Sequence, residues 1–498
     1  MTATSARPIL QVFGSRRIAA MLLLGFASGL PLALSSGTLQ AWLTVEGLDI
    51  TTIGFFALAG LPYTFKFVWA PLADRFEPPL LGGRRRSWLL VTQFGLAALC
   101  LAMATLDPKT SVAAVGACAV AIAFLSASQD IVFDAYRTDL LDERERGAGA
   151  AVSVLGYRLA MLVSGGLALI IADQWLGWPN MFRLMAGLFG LMALVTLWSP
   201  KPAPAETLRS DVRRELTGFV AMIGVGVASF WLLQQLPWHW MGSGRFADLA
   251  AKTISLVIAL VLALQAARRA GFPSFLAPWD AFFSRERAAW LLALIVLYKL
   301  GDAFAGSLST SFLIRGAGFS PTEVGAVNKV LGLAATIVGA LAGGAWLAKR
   351  PLYHSLMLFG VLQAVSNFGY WLISVLPKSY ALMATAIGFE NLCGGMGTAA
   401  FVAFLIALTD RRFSAAQYAL LSALAAVGRV YVGPVSGVMV AAFGWPVFFV
   451  FSVVAAVPGL LLLAWLRPQV LALDRRTRAP GAGRVERAGD AGASRAAG

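Results

Sequence analysis

The chain has 498 residues, 58% of them hydrophobic and only 13% charged, with a formal net charge of +15. So little charge over that length excludes a soluble globular protein. Apolar runs of roughly 20 residues recur almost end to end, so the fold class is an all-α polytopic membrane protein. The surplus of Lys and Arg would suit nucleic acid, but it is gathered in loops on one side of the predicted spans, which makes the lipid bilayer the partner and leaves no nucleic acid among the expected partners.

Taken in chain order, a first apolar span over 18–43 follows Arg16 and Arg17. It is too long for the apolar region of a cleaved signal and is read as a transmembrane helix. Five more spans are expected near 52–75, 88–106, 111–138, 148–173 and 178–199. A polar linker starts at Lys201 and precedes two further spans near 216–236 and 247–267. A basic, Pro-containing stretch from Arg268 to Arg287 leads into six more, near 288–313, 322–348, 354–375, 380–408, 414–442 and 444–466. The Arg-, Gly- and Ala-rich tail from Arg467 reads as disordered. The plan is therefore a six-helix bundle (1–200), a linker carrying two extra helices (201–287), a second six-helix bundle (288–466) and a basic tail. The clusters Arg84–Arg86, Arg144/Arg146, Arg213/Arg214, Arg268/Arg269, Lys349/Arg350 and Arg411/Arg412 fall on one side if both termini do, so both termini are expected in the cytoplasm.

Six plus six around a linker is the plan of the major facilitator fold. The halves echo one another: LGFASGL from Leu24 against LGDAFAGSL from Leu300, and Arg158 before Ser164-Gly165 against Arg429 before Ser436-Gly437. PLADRFEPPLLGGRRR, from Pro71, places Asp74 and Arg75 in the loop after the second span; it resembles the cytoplasmic loop of the major facilitator superfamily, which implies a conformational latch, or it is simply a basic loop. Gly29-Leu30-Pro31, Gly60-Leu61-Pro62 and Gly433-Pro434 are expected to interrupt their helices, and Gly394-Gly395-Met396-Gly397 to let the tenth core helix approach a neighbour.

The chemistry is carried by charges inside apolar spans. Asp130, Asp134 and Arg137 fall at i, i+4 and i+7, on one face of the fourth helix. An ionisable residue at membrane depth costs about 2.5–3.5 kcal/mol by insertion scales, so such groups need a wet cavity, a partner or a function. Counted from the predicted helix ends, Lys66, Asp130 and Arg158 share a depth. In the second half Lys299 and Asp302 are i, i+3 neighbours, and Glu390, Asn391 and Arg429 lie near mid-membrane. Salt bridges that hold the bundle together are one reading. The other gives the carboxylates Asp130, Asp134, Asp302 and Glu390 to proton coupling, and the cations Lys66, Arg158, Lys299 and Arg429 to an anionic substrate. Lys329 is a further cation nearer the outer side. Gln129, Tyr63, Tyr157 and Asn391 join the substrate candidates; Asp74, Arg75 and Arg137 are the gating candidates. Trp42, Trp69, Tyr298, Tyr370 and Trp371 are aromatics that could stack on sugar rings or belong to core and interface.

Cys100, Cys118 and Cys393 lie in apolar segments without metal-ligand spacing, and His239 and His354 are far apart. No nucleotide loop or hydrolase signature occurs. No enzyme activity, cofactor or metal is expected.

Long strings make the chain resemble the AmpG family of muropeptide permeases: LLLGFASGLPLALSSGTLQAWLTVE from Leu22, ASQDIVFDAYRTD from Ala127, ERGAGAAVSVLGYRLAMLVSGGLAL from Glu145, IVLYKLGDAFAGSL from Ile295, FLIRGAGFSPTEVGAVNK from Phe312, ENLCGGMGTAAFVA from Glu390 and LLSALAAVGRVYVGP from Leu420. The resemblance implies proton-driven import of GlcNAc-1,6-anhydro-MurNAc peptides (anhydromuropeptides) across the bacterial inner membrane, for peptidoglycan recycling and β-lactamase induction, with antibiotic resistance as its consequence. The partners it implies are that substrate and the proton, and the chain is expected to act as a monomer. Alternatives are a related facilitator for another large anionic metabolite, such as a coenzyme A ester, or a muropeptide sensor that does not transport. The two helices inserted between the halves depart from the family, several of whose members carry extra helices after the core.

Overall fold

The computed structural model describes residues 15–70, 78, 83–141, 146–202, 212–238, 242, 244–409 and 414–478. Helices account for the regular structure of these residues: α1 (Arg16–Val45), α2 (Ile50–Phe65), α3 (Arg84–Met103), α4 (Val112–Leu140), α5 (146–176), α6 (Gly177–Trp198), α7 (Val212–Gln234), α8 (Arg245–Arg269), α9 (Pro273–Phe283), α10 (Ala288–Gly316), α11 (Pro321–Lys349), α12 (Leu352–Val375), α13 (Tyr380–Ala407), α14 (414–443), α15 (445–465) and α16 (Arg467–Arg478). Among the described residues eleven helical stretches are long and apolar enough to cross a membrane. Two of these are broken at a glycine with positive φ, Gly177 at 71° and Gly444 at 77°, a backbone region that residues with a Cβ rarely adopt. With those breaks and the shorter α2, the helices follow the order expected from the sequence.

Three segments differ from expectation, and α2 is interrupted at Gly60-Leu61-Pro62 as expected. Helix α1 continues through Pro31 and breaks only at Ser35-Ser36, whose hydroxyls bond back to the carbonyls of Pro31 and Leu32 and compete with the helical ladder. Helix α2 alternates α-helical and 3-10 turns from Ile50 to Val68, because Gly60 and Pro62 weaken the regular pattern in mid-span. The stretch between the inserted pair and the second bundle holds the helix α9, with proline in its first turn, where a missing N–H costs nothing. The tail, expected to be disordered from Arg467, opens as the helix α16, whose Val470 is buried.

The chain forms two compact units. The smaller comprises Pro204–Ala289 with Thr409–Gln417. In it α7 packs along α8, where Ala251, Ser255, Ala259, Ala263 and Ala267 form a buried small-residue stripe at four-residue spacing. Arg268 pairs with Asp280 of α9 at 3.0 Å.

The larger unit contains both six-helix sets. Lipid gives apolar helices no hydrophobic reason to associate, so close backbone approach does that work. In the first set α1 lies on α5: Gly25 faces the backbone of Ser153, and Gly29 that of Tyr157, with no room for a Cβ. In the second set Gly339 of α11 meets the Leu392 backbone, and Gly395 of α13 meets that of Thr336. The expected close approach of the tenth core helix is thus present.

The two sets touch each other at the end opposite the Arg84–Arg86 cluster. Gln40 of α1 donates to the carbonyl of Ser307 at 2.7 Å and accepts from the amide of Ser311 at 3.2 Å. Thr44 and Ser311 share a hydrogen bond of 2.7 Å, and Arg315 donates to the carbonyls of Thr44 and Leu48 at 2.8 and 2.7 Å. Asp173, at the end of α5, accepts from the amide and hydroxyl of Thr322 in the first turn of α11, at 3.2 and 2.6 Å, so a carboxylate caps a helix N-terminus across the two sets. Gly54 and Ala57 of α2 lie against Gly433 of α14. Gly433-Pro434, expected to interrupt a helix, instead lies within continuous α14 at this contact.

Candidate transport site

In the first set Asp130 lies half-buried on α4, and its Oδ1 accepts a short hydrogen bond from the hydroxyl of Ser28 on α1. The ammonium of Lys66, from the irregular end of α2, and the carboxylate of Asp134 both act on Asp130 electrostatically. Tyr63 donates to the hydroxyl of Ser126 at 2.6 Å, and Trp69 Nε1 to that of Ser128 at 3.0 Å. These bonds tie α2 and the turn that follows it to α4 within the turn preceding Asp130. Tyr157 of α5 lies within electrostatic reach of Asp130, Tyr63 and Arg158, and also of Arg429 from α14 in the other set. Arg158 is half-buried, with Met161 Sδ 3.9 Å from Nη1. Lys66, Asp130, Tyr63, Tyr157, Arg158 and Arg429 therefore belong to one neighbourhood drawn from both sets.

A second neighbourhood belongs to the second set. Helix α10 is interrupted at Lys299, and the ammonium there lies 3.5 Å from Asp302, 3.4 Å from Gln363 Oε1 and 5.9 Å from the ring centre of Phe401. Asp302 and Lys299 both act electrostatically on Glu390 of α13. Asn391 donates to Glu390 Oε2 at 2.8 Å and accepts from Thr336 of α11 at 3.1 Å, so it fixes the carboxylate and ties two helices together. Tyr298 is buried, stacks on Phe401 at 5.6 Å and donates to the Leu356 carbonyl.

Other candidates are placed elsewhere. Asp134 is 58% exposed and pairs at 3.0 Å with Arg137, which also donates to Ser153 at 3.1 Å. That pair stays within the first set, at the end of α4, so the stripe of three charges divides into one half-buried acid and one surface ion pair. Gln129 is 1% exposed and turns toward α3, accepting from Thr92 at 3.4 Å, because adjacent helical residues point about 100° apart. Trp42 packs on Trp178 and Phe182 as core, whereas Tyr370 packs on Phe312 and Phe449 within electrostatic reach of Glu390 and Asp302 of the second neighbourhood. The side chain of Lys329, and Asp74 and Arg75 entirely, lie outside the described residues.

Three participants were not found by reading charges. Ser28, Ser126 and Gln363 are uncharged, and hydropathy weighs them lightly. The available signal was a few polar side chains within an apolar span, such as Gln363, Ser366 and Asn367 in LMLFGVLQAVSNFGY from Leu356. Arg315 and Asp173, which join the two sets, sit in loop-proximal positions that resemble ordinary interface charges.

Residues 21–389 match the Major Facilitator Superfamily. The chain is 52% identical over 454 residues, 91% of its length and 80% of the relative's, to a protein named anhydromuropeptide permease from Escherichia coli K12. It belongs to the AmpG family of the major facilitator superfamily. A relative named putative transporter AmpG 4, from Rickettsia felis, is 30% identical over 465 residues, covering 93% of this chain and 99% of that one. Among solved structures, the POT family transporter PepTSo superposes with a TM-score of 0.62 at 13% identity, over 91% of this chain and 99% of that one, a likeness of fold. The AmpG-family chain is thus a multi-pass membrane transporter and not an enzyme.

Proposed function

We propose that the chain imports anhydromuropeptides across the bacterial inner membrane, with protons moving in the same direction, by alternating access. The carrying observation is the 52% identity over 91% of the chain to the E. coli protein of that name. The site's chemistry supports it. The stem peptide of an anhydromuropeptide is anionic, which suits Lys66, Arg158 and Arg429 around one neighbourhood and Lys299 in the other. Its two sugar rings suit Tyr63, Trp69 and Tyr157. Asp130 is a protonatable group beside a cation, with a serine hydroxyl to hold its charged form, and is the principal coupling acid; Asp302 and Glu390 form the second acidic set. Peptidoglycan recycling, and β-lactamase induction where the enzyme is inducible, would follow from such import.

Both termini lie in the cytoplasm on this reading, because the basic loops do. The end at which the two sets touch is then periplasmic, so the arrangement described here is the one closed to the periplasm. The test is uptake of labelled anhydromuropeptide by proteoliposomes under an imposed pH gradient. The reading expects uptake that falls to the passive level when the gradient is collapsed. Uptake indifferent to the gradient would remove proton coupling, and binding without uptake would remove transport.

A further inference from the structure

The peripheral helix α12 reaches a charge of the site. Helix α10 is interrupted at Lys299, between Tyr298 and Leu300, and α12 is interrupted at Asn367, between Ser366 and Phe368. The two breaks face one another: Asn367 Nδ2 donates to the carbonyl of Gly301 at 3.3 Å, and Lys299 Nζ donates to Gln363 Oε1 at 3.4 Å. Gln363 is 6% exposed and Asn367 fully buried. An ammonium only donates, so the amide oxygen of Gln363 must face Lys299 and its NH2 must face away. That Nε2 and the Asn367 Oδ1 are both buried without a protein partner. They stand at i and i+4, one turn apart on one face of α12, and do not bond each other.

Space for this arrangement is supplied by α13. A Cβ on Gly397 would lie 2.7 Å from Gln363 Oε1 and 4.0 Å from Lys299 Nζ, and one on Gly394 would lie 3.4 Å from Gln363 Nε2. The missing side chain at Gly397 is what lets the glutamine end sit beside the ammonium.

We propose that Gln363 is a positioning residue for substrate binding: admitted by Gly397, it holds the Lys299 ammonium where it meets the anionic substrate. Asp302 alone would draw Lys299 along its own helix, at i, i+3. The neutral amide holds it from a different helix and adds no negative charge to that of Asp302 and Glu390. The inference rests on the assignment of Lys299 to substrate binding made under Proposed function.

The test is a cycle of full-length variants assayed for initial uptake of labelled anhydromuropeptide in proteoliposomes. Gln363→Met keeps the volume and removes both polar ends. Gly397→Ala pushes the Gln363 amide away from Lys299 by crowding the far end of a flexible side chain, so it perturbs the contact even where Gln363→Met inserts poorly. Each is expected to raise KM about fivefold to tenfold with little change in Vmax. In a Lys299→Ala background, itself raised in KM, neither should raise it further, because all three remove one interaction. Wild-type KM in Gln363→Met or Gly397→Ala, beside an impaired Lys299→Ala, overturns the positioning role alone. Effects that multiply in the Lys299→Ala background also overturn it. Normal uptake by Lys299→Ala overturns the assignment of Lys299 and the inference with it.

Discussion

Asp130 and Gln129 are neighbours in sequence with opposite fates. One meets Ser28 and the field of Lys66, and the other is buried against Thr92. The difference is helical phase, which becomes meaningful only when the neighbours on each face are known. Replacing Asp130 with asparagine keeps the shape and removes the titratable charge. Gradient-driven uptake is expected to fall by at least about tenfold while membrane insertion stays normal, checked by uptake against surface-labelled protein in the same vesicles. Wild-type uptake would make Asp130 a structural partner of Ser28 and Lys66. Arg158→Ala is expected to weaken substrate binding about tenfold, read by equilibrium binding in detergent, as a charge-assisted contact in a desolvated site does. By contrast, Asp134→Asn should change uptake less than about twofold, since its exposed pair with Arg137 resembles other surface pairs of small net value.

Small residues decide how the helices sit. Gly395 of α13 faces the carbonyl of Thr336, and Gly339 of α11 the backbone of Leu392, so this helix pair is held by backbone contact. Gly395→Val should cost about 1–3 kcal/mol by overpacking, seen as a lower unfolding temperature in detergent. Gly187→Ala on α6, where a Cβ meets nothing within 4 Å, is the control and should be neutral or slightly stabilising. The element boundaries show where sequence reading succeeds and where it stops. The apolar spans were legible because a bilayer demands about 20 apolar residues per helix. The interruptions in α10 at Lys299 and in α12 at Asn367 were not, because neither site carries the Gly-Pro signal that marks α2. At α10 the Gly301 carbonyl beside the break accepts from the Asn367 side chain of α12, a partner that no local window contains.

At the scale of the whole transporter, the contacts between the two sets gather at one end. Thr44 and Ser311 have their hydroxyl oxygens 2.7 Å apart there, which brings their Cβ atoms within reach of a disulfide. A Thr44→Cys, Ser311→Cys double variant, built without Cys118, is expected to lose nearly all uptake on oxidation and regain it on reduction, measured in the same vesicles. Unchanged uptake in the cross-linked protein would mean that this end need not open for transport. The sequence by itself determined the membrane class, the six-two-six order of spans and the family, because hydropathy over 20 residues and long matching strings are properties of the linear chain. It also marked Lys66, Asp130, Arg158, Lys299, Asp302, Glu390 and Arg429 as costly charges in apolar surroundings. Only the tertiary structure decided which of those charges stand together, that Asp134 leaves the set for Arg137, and that uncharged Ser28 and Gln363 enter it. The reason is physical: the cost of a buried charge is visible in its own segment, but its partner is chosen by helix phase and by backbone approach at glycines far away in sequence.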